Sequence, residues 1–155
     1  MKLAPIGNVT LENFWNSDLK SFSITHTHDK ILHLGTSHTE YDIKDKQIIH
    51  NAYTLIYTPQ YDDYWNVTIT TANGEIWHNT SRLKCNIKKE DNGNVIIGVN
   101  GDSQRMYVAF PFSSTCSMSL KKWIKKFNTK TIKRIFRSKR EDITLTVTNT
   151  AKVIR

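Results

Sequence analysis

The stretch WNVTITT, residues 65–71, alternates apolar and polar side chains with a period of two. Trp65, Val67 and Ile69 fall on one face of an extended chain, and the residues between them fall on the other. This pattern is typical of a strand with one face on the core. Three later stretches repeat it, namely RLKCNIK (residues 82–88), NVIIGV (residues 94–99) and RMYVAF (residues 105–110).

Turn signals separate these stretches. Asn73-Gly74 and Asn92-Gly93 suit tight primed turns, because Asn and Gly tolerate positive φ. Residues 100–102, Asn-Gly-Asp, are a third turn candidate. Strand, turn and strand at this spacing predict an antiparallel meander. Further strand candidates are residues 21–28, 31–35, 46–50, 53–58 and 143–149.

Two segments have a helical pattern instead. Residues 9–19, VTLENFWNSDL, predict a short helix with Thr10 as its N-cap. Farther along the chain, apolar residues recur at positions i, i+3, i+4 and i+7, and a second stripe follows. A single straight helix would turn the second stripe away from the core, so two short helices fit better. The first stripe is Leu120, Trp123, Ile124 and Phe127, and the second is Ile132, Ile135 and Phe136.

The predicted fold class is therefore α+β. A mostly antiparallel sheet, curled into a barrel or a sandwich, would carry one or two basic C-terminal helices packed on it. A length of 155 residues predicts a single domain. Within it, residues 1–116 are the mainly β body, residues 117–140 the basic helical segment, and residues 141–155 a final strand and tail.

The charge of the chain is concentrated near its C-terminus. Residues 1–110 contain 10 Lys+Arg and 12 Asp+Glu, a net charge of −2, while residues 111–155 contain 12 and 2, a net charge of +10. Ten of the twenty residues from Lys121 to Arg140 are basic and none is acidic. A solvated helix face usually mixes both signs, so this segment predicts a polyanionic partner.

The candidate nucleic-acid-binding residues belong to two groups. The larger group would neutralise phosphates, which gives affinity with little dependence on base sequence. The smaller group shares the outward face of a predicted strand, where the basic side chains would either extend the same surface or protect a sheet edge. The groups are Lys121, Lys122, Lys125, Lys126, Lys130, Lys133, Arg134, Arg137, Lys139 and Arg140, and then Arg82, Lys84 and Lys88.

These residues favour a non-enzymatic nucleic-acid-binding protein, with DNA preferred over RNA because no RNP-type aromatic motif is present. The tyrosines of residues 53–64 would stack on bases or pack on the sheet. The main alternative is a membrane-surface or protein-interaction module, in which the basic helices meet anionic lipid or an acidic protein partner. A viral structural or host-inhibiting protein belongs to this second class.

A third alternative is a small phosphodiester hydrolase that uses histidine. His78 and Thr80 match one half of a paired H-x-T/S motif, but no clean second copy exists. His26 and His28 would share one face of a strand, a spacing that can bind a metal, yet no nearby residue completes a recognisable motif. We therefore predict no catalytic residue, no metal and no cofactor.

The sequence also makes a prediction about location. The N-terminal residues are a poor match to a signal peptide, and no stretch of about 18 apolar residues is present. Cys85 and Cys116 are accordingly predicted to be reduced and buried. Together these features predict a cytoplasmic protein.

Overall fold

The computed structural model describes residues 5–28 and 35–124. The chain divides into two units at Lys121–Lys122, and the fold described here is that of the first. The described residues form eleven strands and one 3₁₀ turn. The strands are β1 (Ile6–Phe14), β2 (Leu19–His28), β3 (Thr36–Ile43), β4 (Ile48–Ile56), β5 (Asp63–Thr71), β6 (Ile76–His78), β7 (Leu83–Lys84), β8 (Asn94–Asn100), β9 (Arg105–Ala109), β10 (Cys116–Ser119) and β11 (Lys121–Lys122), and the turn is Lys89–Asp91.

The strands form two open sheets. The first has the order β10-β9-β8-β1-β4 and the second β11-β6-β5-β2-β3, with β7 also paired to β5. In the described part, β1 and β8 pair in parallel, and the other pairs with a defined register are antiparallel. The predicted antiparallel pairing is confirmed. The predicted α+β class is wrong, because residues 5–28 and 35–124 contain no helix longer than the 3₁₀ turn.

The two sheets bury one face each in a shared core. The period-two pattern places the inward side chains correctly, since Trp65, Val67 and Ile69 are all at most 1 % exposed. Trp65 is fully buried, and its indole N–H donates to the carbonyl of Cys85 over 2.8 Å. The core members from the first sheet are Val9, Leu11, Leu55, Val95, Ile97, Val99, Met106 and Val108, and from the second Leu19, Phe22, Ile24, Ile43, Trp65, Val67, Ile69 and Leu83.

The predicted helix over residues 9–19 is wrong. Residues 6–14 form β1, whose inward side chains alternate as in the other strands. β1 lies inside the first sheet, paired with β4 on one side and β8 on the other. Tertiary pairing on both sides therefore overrides the local helical pattern.

The predicted basic helix is also wrong over residues 117–124. Cys116–Ser119 pairs with β9, so that Met118 lies opposite Met106. Leu120 is 2 % exposed and its backbone N–H donates to the carbonyl of Gln104. Its burial follows the alternation of inward and outward side chains along a strand, and not a helical stripe. The rest of the predicted helical segment and the strand at residues 143–149 lie outside the described residues.

Turns lie at the predicted places, but of Asn73 and Gly74 only Gly74 has positive φ, so this turn is not of the primed type. The meander is also interrupted. The Asn73–Gly74 turn joins β5 to β6, and residues 101–104 join β8 to β9. Asn92 and Gly93 both have positive φ, at 51° and 73°, yet they follow the 3₁₀ turn and do not form a hairpin. Between β7 and β8 the chain instead crosses from the second sheet to the first.

Two buried asparagines replace backbone partners where the strand ladders stop. The side chain of Asn79 accepts from the N–H of Val67 and donates to the carbonyls of Trp65 and Ser81, over 2.8–3.0 Å. It therefore continues the edge of β5 between β6 and β7. Asn13 donates to the carbonyl of Lys44 over 2.9 Å and accepts from the N–H of Trp15. This amide holds the turn between β3 and β4.

The two sheets are connected at both edges. At one edge, β3 and β4 belong to different sheets and are joined by the short turn at residues 44–47. At the other edge, Cys85 and Cys116 form a disulfide. The prediction that both cysteines are reduced is wrong, because antiparallel pairing of β9 with β10 brings Cys116 next to the segment that follows β7.

On the outer face of the first sheet, the side chain of Tyr107 extends from β9 across β8 to β1. Glu12, Gly98 and Tyr107 form a row across β1, β8 and β9. The hydroxyl of Tyr107 donates to Glu12 Oε1 over 2.7 Å, and a Cβ on Gly98 would lie 2.2 Å from the tyrosine ring. Gly98 is needed because any side chain there would block this contact. Burial, together with the hydrogen bond and charge of Glu12, raises the pKa of Tyr107.

We expect Gly98→Ala to destabilise the protein by about 1–3 kcal/mol, because the tyrosine ring has to move from its position. Urea denaturation measures the change in the free energy of unfolding. In a Tyr107→Leu background, the same substitution should lower the free energy of unfolding by much less. Equal decreases in the two backgrounds would show that the tyrosine ring does not require the glycine.

Removing the disulfide should also destabilise the protein. The bond closes a loop with a sequence separation of 31 residues, and a loop of this length corresponds to about 3–4 kcal/mol. We expect the urea midpoint of wild type to fall in reducing buffer, with the Cys85→Ser, Cys116→Ser double variant insensitive to reductant. Two titratable thiols in native protein purified without reductant would contradict the bond.

Candidate functional site

Three polar side chains meet in the core where β2 ends and β5 begins. His26 and His28 are two residues apart, so both point to the inner face of β2. The antiparallel register places His26 opposite Trp65 and His28 opposite Asp63. Asp63 is fully buried, and His26 and His28 are 2 % and 8 % exposed. We call these three residues the histidine–aspartate cluster.

The ligand atoms of the cluster are close together. His26 Nε2 lies 2.7 Å from Asp63 Oδ1, at hydrogen-bond distance. His28 Nδ1 lies 3.4 Å from the same oxygen. All three atoms are within 4.8 Å of one another. A single carboxylate oxygen thus faces two imidazole nitrogens.

The carboxylate of Asp63 is held by backbone groups. Its Oδ2 accepts from the N–H of Ile87 over 2.8 Å. The N–H of Asp63 donates to Asn86 Oδ1, and its carbonyl accepts from the N–H of Cys85. The segment next to the disulfide therefore fixes the orientation in which Oδ1 faces the histidines.

Aromatic rings surround the cluster. The His26 ring lies over Trp65 with centroids 4.4 Å apart. The His28 ring meets His26 edge-on at 4.8 Å and Tyr61 at 6.2 Å. Apolar walls lower the local dielectric constant, which strengthens interactions between charged groups and penalises unpaired ones.

One atom of the cluster is not satisfied. His28 Nδ1 is buried and has no hydrogen-bond partner, since its contact with Asp63 does not have hydrogen-bond geometry. Buried polar atoms almost always have a partner, and an exception in a native protein requires an explanation.

The other fully buried carboxylate, Asp91, is satisfied. It accepts from the N–H groups of Phe112 and Ser113, each over 3.0 Å, and from the Ser113 hydroxyl. Burial alone would raise the pKa of Asp91, but the hydrogen bonds from Ser113, Phe112 and Lys88 outweigh it and hold the pKa below its ordinary value. Asp91 therefore stabilises the loop between β9 and β10, and offers no open coordination position.

The structure describes five of the thirteen predicted nucleic-acid-binding residues. Arg82, Lys84 and Lys88 are exposed and alternate with the buried residues Leu83, Cys85 and Ile87. The Arg82 guanidinium stacks 4.0 Å from the Tyr64 ring, and the Lys84 ammonium lies 3.2 Å from Asp62. Lys121 and Lys122 are also exposed. The remaining eight lie outside the described residues: Lys125, Lys126, Lys130, Lys133, Arg134, Arg137, Lys139 and Arg140.

The residues of the hydrolase alternative are not brought together. His78 lies opposite Thr68 on β6, and its neighbour Trp77 packs inward against Trp15. His78 therefore points to the outer face of the sheet, opposite to the cluster. Among the other histidines, His38 stacks on Tyr53 and contacts Glu40, His50 is exposed, and His33 lies outside the described residues.

Sequence reasoning missed Asp63 as a partner of the histidines. A signal was present, because Asp63 is two residues before Trp65 and so belongs to the inward face of that strand. What could not be predicted is that β2 pairs with β5, in a register that brings Asp63 opposite His28.

No protein-family model matches this sequence, and no curated protein matches it significantly.

Asp91→Asn tests the structural role of the second carboxylate. We expect a loss of about 1–3 kcal/mol at neutral pH, because hydrogen bonds to a charged acceptor are lost. The folded-state pKa is lowered, so this stabilisation is present above the unfolded-state pKa of about 3.9 and is lost as pH falls through the folded-state value. The stability gap between wild type and variant should shrink below about pH 4. The exposed Asp45→Asn serves as the control, and a gap that does not depend on pH would contradict the assignment.

Proposed function

We propose that this protein is a non-enzymatic nucleic-acid-binding protein that contacts mainly phosphates and has weak base specificity, with DNA favoured over RNA. The observation that supports the proposal is the separation of charge along the chain, −2 in residues 1–110 and +10 in residues 111–155. Each phosphate neutralised by Lys or Arg releases condensed counterions, and this term depends little on sequence.

The self-repulsion of the basic segment supports this reading. Ten positive charges within twenty residues, without an acidic neighbour, raise the free energy of any compact arrangement. A polyanion would offset that repulsion. Binding through these charges would have weak sequence specificity, because phosphate contacts position a protein without reading bases.

The three basic residues on and beside β7 are expected to contribute unequally to phosphate binding. Arg82 and Lys88 are exposed and form no ion pair with a carboxylate of the described residues, whereas the Lys84 charge is paired with Asp62. We therefore expect Arg82 and Lys88 to contribute more to phosphate binding than Lys84.

The membrane-surface alternative has less support. Its amphipathic helix would begin with Leu120, which is instead buried in the core. Within the described residues, no helix has the length and apolar character needed to cross a bilayer. Binding to an acidic protein partner uses the same charges and is an outcome of the experiment below.

The disulfide bears on where the protein acts. Disulfides persist in oxidising environments and are rare in the cytosol. The sequence predicts a cytoplasmic location, whereas the Cys85–Cys116 bond favours an oxidising compartment. We therefore propose that the protein meets its polyanion outside the reducing cytosol.

Binding across a salt series tests the proposal. Fluorescent duplex DNA, single-stranded DNA and an RNA hairpin are titrated with the full chain from low to high salt. We expect a log–log slope of about −4 or steeper for the duplex, which corresponds to four or more phosphates. Charge reversal within the basic segment should remove most of the slope. The test variant has Lys125, Lys126, Lys133 and Arg134 replaced by Glu.

A matched control separates local contacts from net charge. It carries the same number of charge reversals to Glu outside the basic segment, at Lys2, Lys20, Lys44 and Lys46. If both variants lose affinity equally, the effect is one of total charge and the assigned surface is wrong. No binding of wild type at low salt would reject nucleic acid as the partner, and flotation with anionic vesicles and pull-downs with acidic proteins would then identify which alternative applies.

A further inference from the structure

We propose that His26, His28 and Asp63 bind a divalent transition-metal ion, with Zn²⁺ the preferred ion. This inference is independent of nucleic-acid binding. It rests on the convergence of three ligand atoms and on the unpartnered buried nitrogen of His28.

The donor set selects the class of metal. Two imidazole nitrogens and one carboxylate oxygen suit Zn²⁺ and its neighbours in the first transition row. Ca²⁺ and Mg²⁺ prefer six or more oxygen ligands, and the cluster supplies one carboxylate. The only two cysteines of the chain are joined in the disulfide, so no thiolate competes for the ion.

The distances fit a tetrahedral site only after the two imidazole nitrogens, which lie up to 4.8 Å apart, move closer together. Zn–N and Zn–O bonds of about 2.0–2.1 Å imply ligand atoms about 3.3 Å apart. His28 Nδ1 and Asp63 Oδ1 are 3.4 Å apart, which matches this spacing. His26 Nε2 and Asp63 Oδ1 are 2.7 Å apart, at hydrogen-bond distance. Binding would replace the shared proton and move these two atoms apart by about 0.6 Å.

The supporting contacts resemble those that orient metal ligands. Carboxylates that bind metals are usually held by further hydrogen bonds. The N–H of Ile87 plays that part here by occupying Asp63 Oδ2, which leaves Oδ1 for the ion. Trp65 limits the rotation of the His26 ring by packing against it at a tilt.

A purely structural His–Asp pair explains only part of the cluster. The hydrogen bond between His26 and Asp63 satisfies both of those residues. It leaves His28 Nδ1 buried beside a carboxylate oxygen without a hydrogen bond. A metal ion would provide the missing partner for this nitrogen. The bound ion would tie the end of β2 to the start of β5, with one coordination position left for water.

The experiment uses the full chain without a histidine tag, stripped of metal with a chelator. Zn²⁺ is titrated by calorimetry, and Co²⁺ is added separately to follow visible absorption. We expect one ion per chain, a rise in the melting temperature with Zn²⁺ concentration, and the strong absorption of tetrahedral Co²⁺. His28→Asn should weaken Zn²⁺ binding by at least about 100-fold.

His38→Ala is the matched control. It removes another histidine–carboxylate contact on the adjacent strand, where His38 Nε2 lies 2.6 Å from Glu40 Oε2. This variant should bind Zn²⁺ like wild type. Wild type that shows no Zn²⁺ binding, or equal losses in the two variants, would overturn the proposal. If His28→Asn does not fold, the Co²⁺ spectrum of wild type decides, and a weak octahedral spectrum would also overturn it.

Discussion

A polar group buried between two sheets is cut off from water and needs hydrogen-bond partners within the protein. The structure depends on four buried polar side chains that find such partners in the backbone. Asn13, Asn79, Asp63 and Asp91 are each at most 4 % exposed. Each one binds backbone groups at a place where a strand ladder ends. The apolar core holds the sheets together through nonspecific burial, whereas these side chains determine where each strand stops and the next segment begins. They therefore select one arrangement of the connections between strands. Apolar burial alone would not distinguish this arrangement from others that bury a similar area.

The segment of residues 85–87 takes part both in binding a buried carboxylate and in linking the two sheets. Its backbone binds Asp63 on one side, while Cys85 is bonded to Cys116 of the other sheet. The carbonyl of Cys85 also accepts from the indole N–H of Trp65, and the His26 ring packs against this indole. The orientation of the histidine–aspartate cluster is thus tied to the covalent link between the sheets. Rigidity of this kind pre-organises ligand atoms, because little freedom remains to be lost on binding.

The inward faces of the strands could be predicted from the sequence, and much of the remainder could not. Alternation in residues 65–71 and 105–110 identified buried residues correctly because a strand with one solvated face has a strict period of two. Residues 9–19 and 117–124 contain apolar positions compatible with either period, and strand pairing with distant segments decided the outcome. The disulfide and the partnership of Asp63 with His28 both require knowledge of which strands are neighbours, and in which register. Local patterns contain no such information.

The parallel pairing of β1 with β8 has a consequence for how the chain reaches this structure. Asn8 lies opposite Asn94, so β1 and its parallel partner β8 are separated by most of the described chain. As the protein is synthesised, β1 can pair with β4 early, but its other edge has no partner until β8 has been made. Long-range pairing of this kind slows folding and leaves a strand edge open to other chains in the meantime. The kinetics of folding, and losses to aggregation during synthesis, should therefore be governed by the arrival of β8.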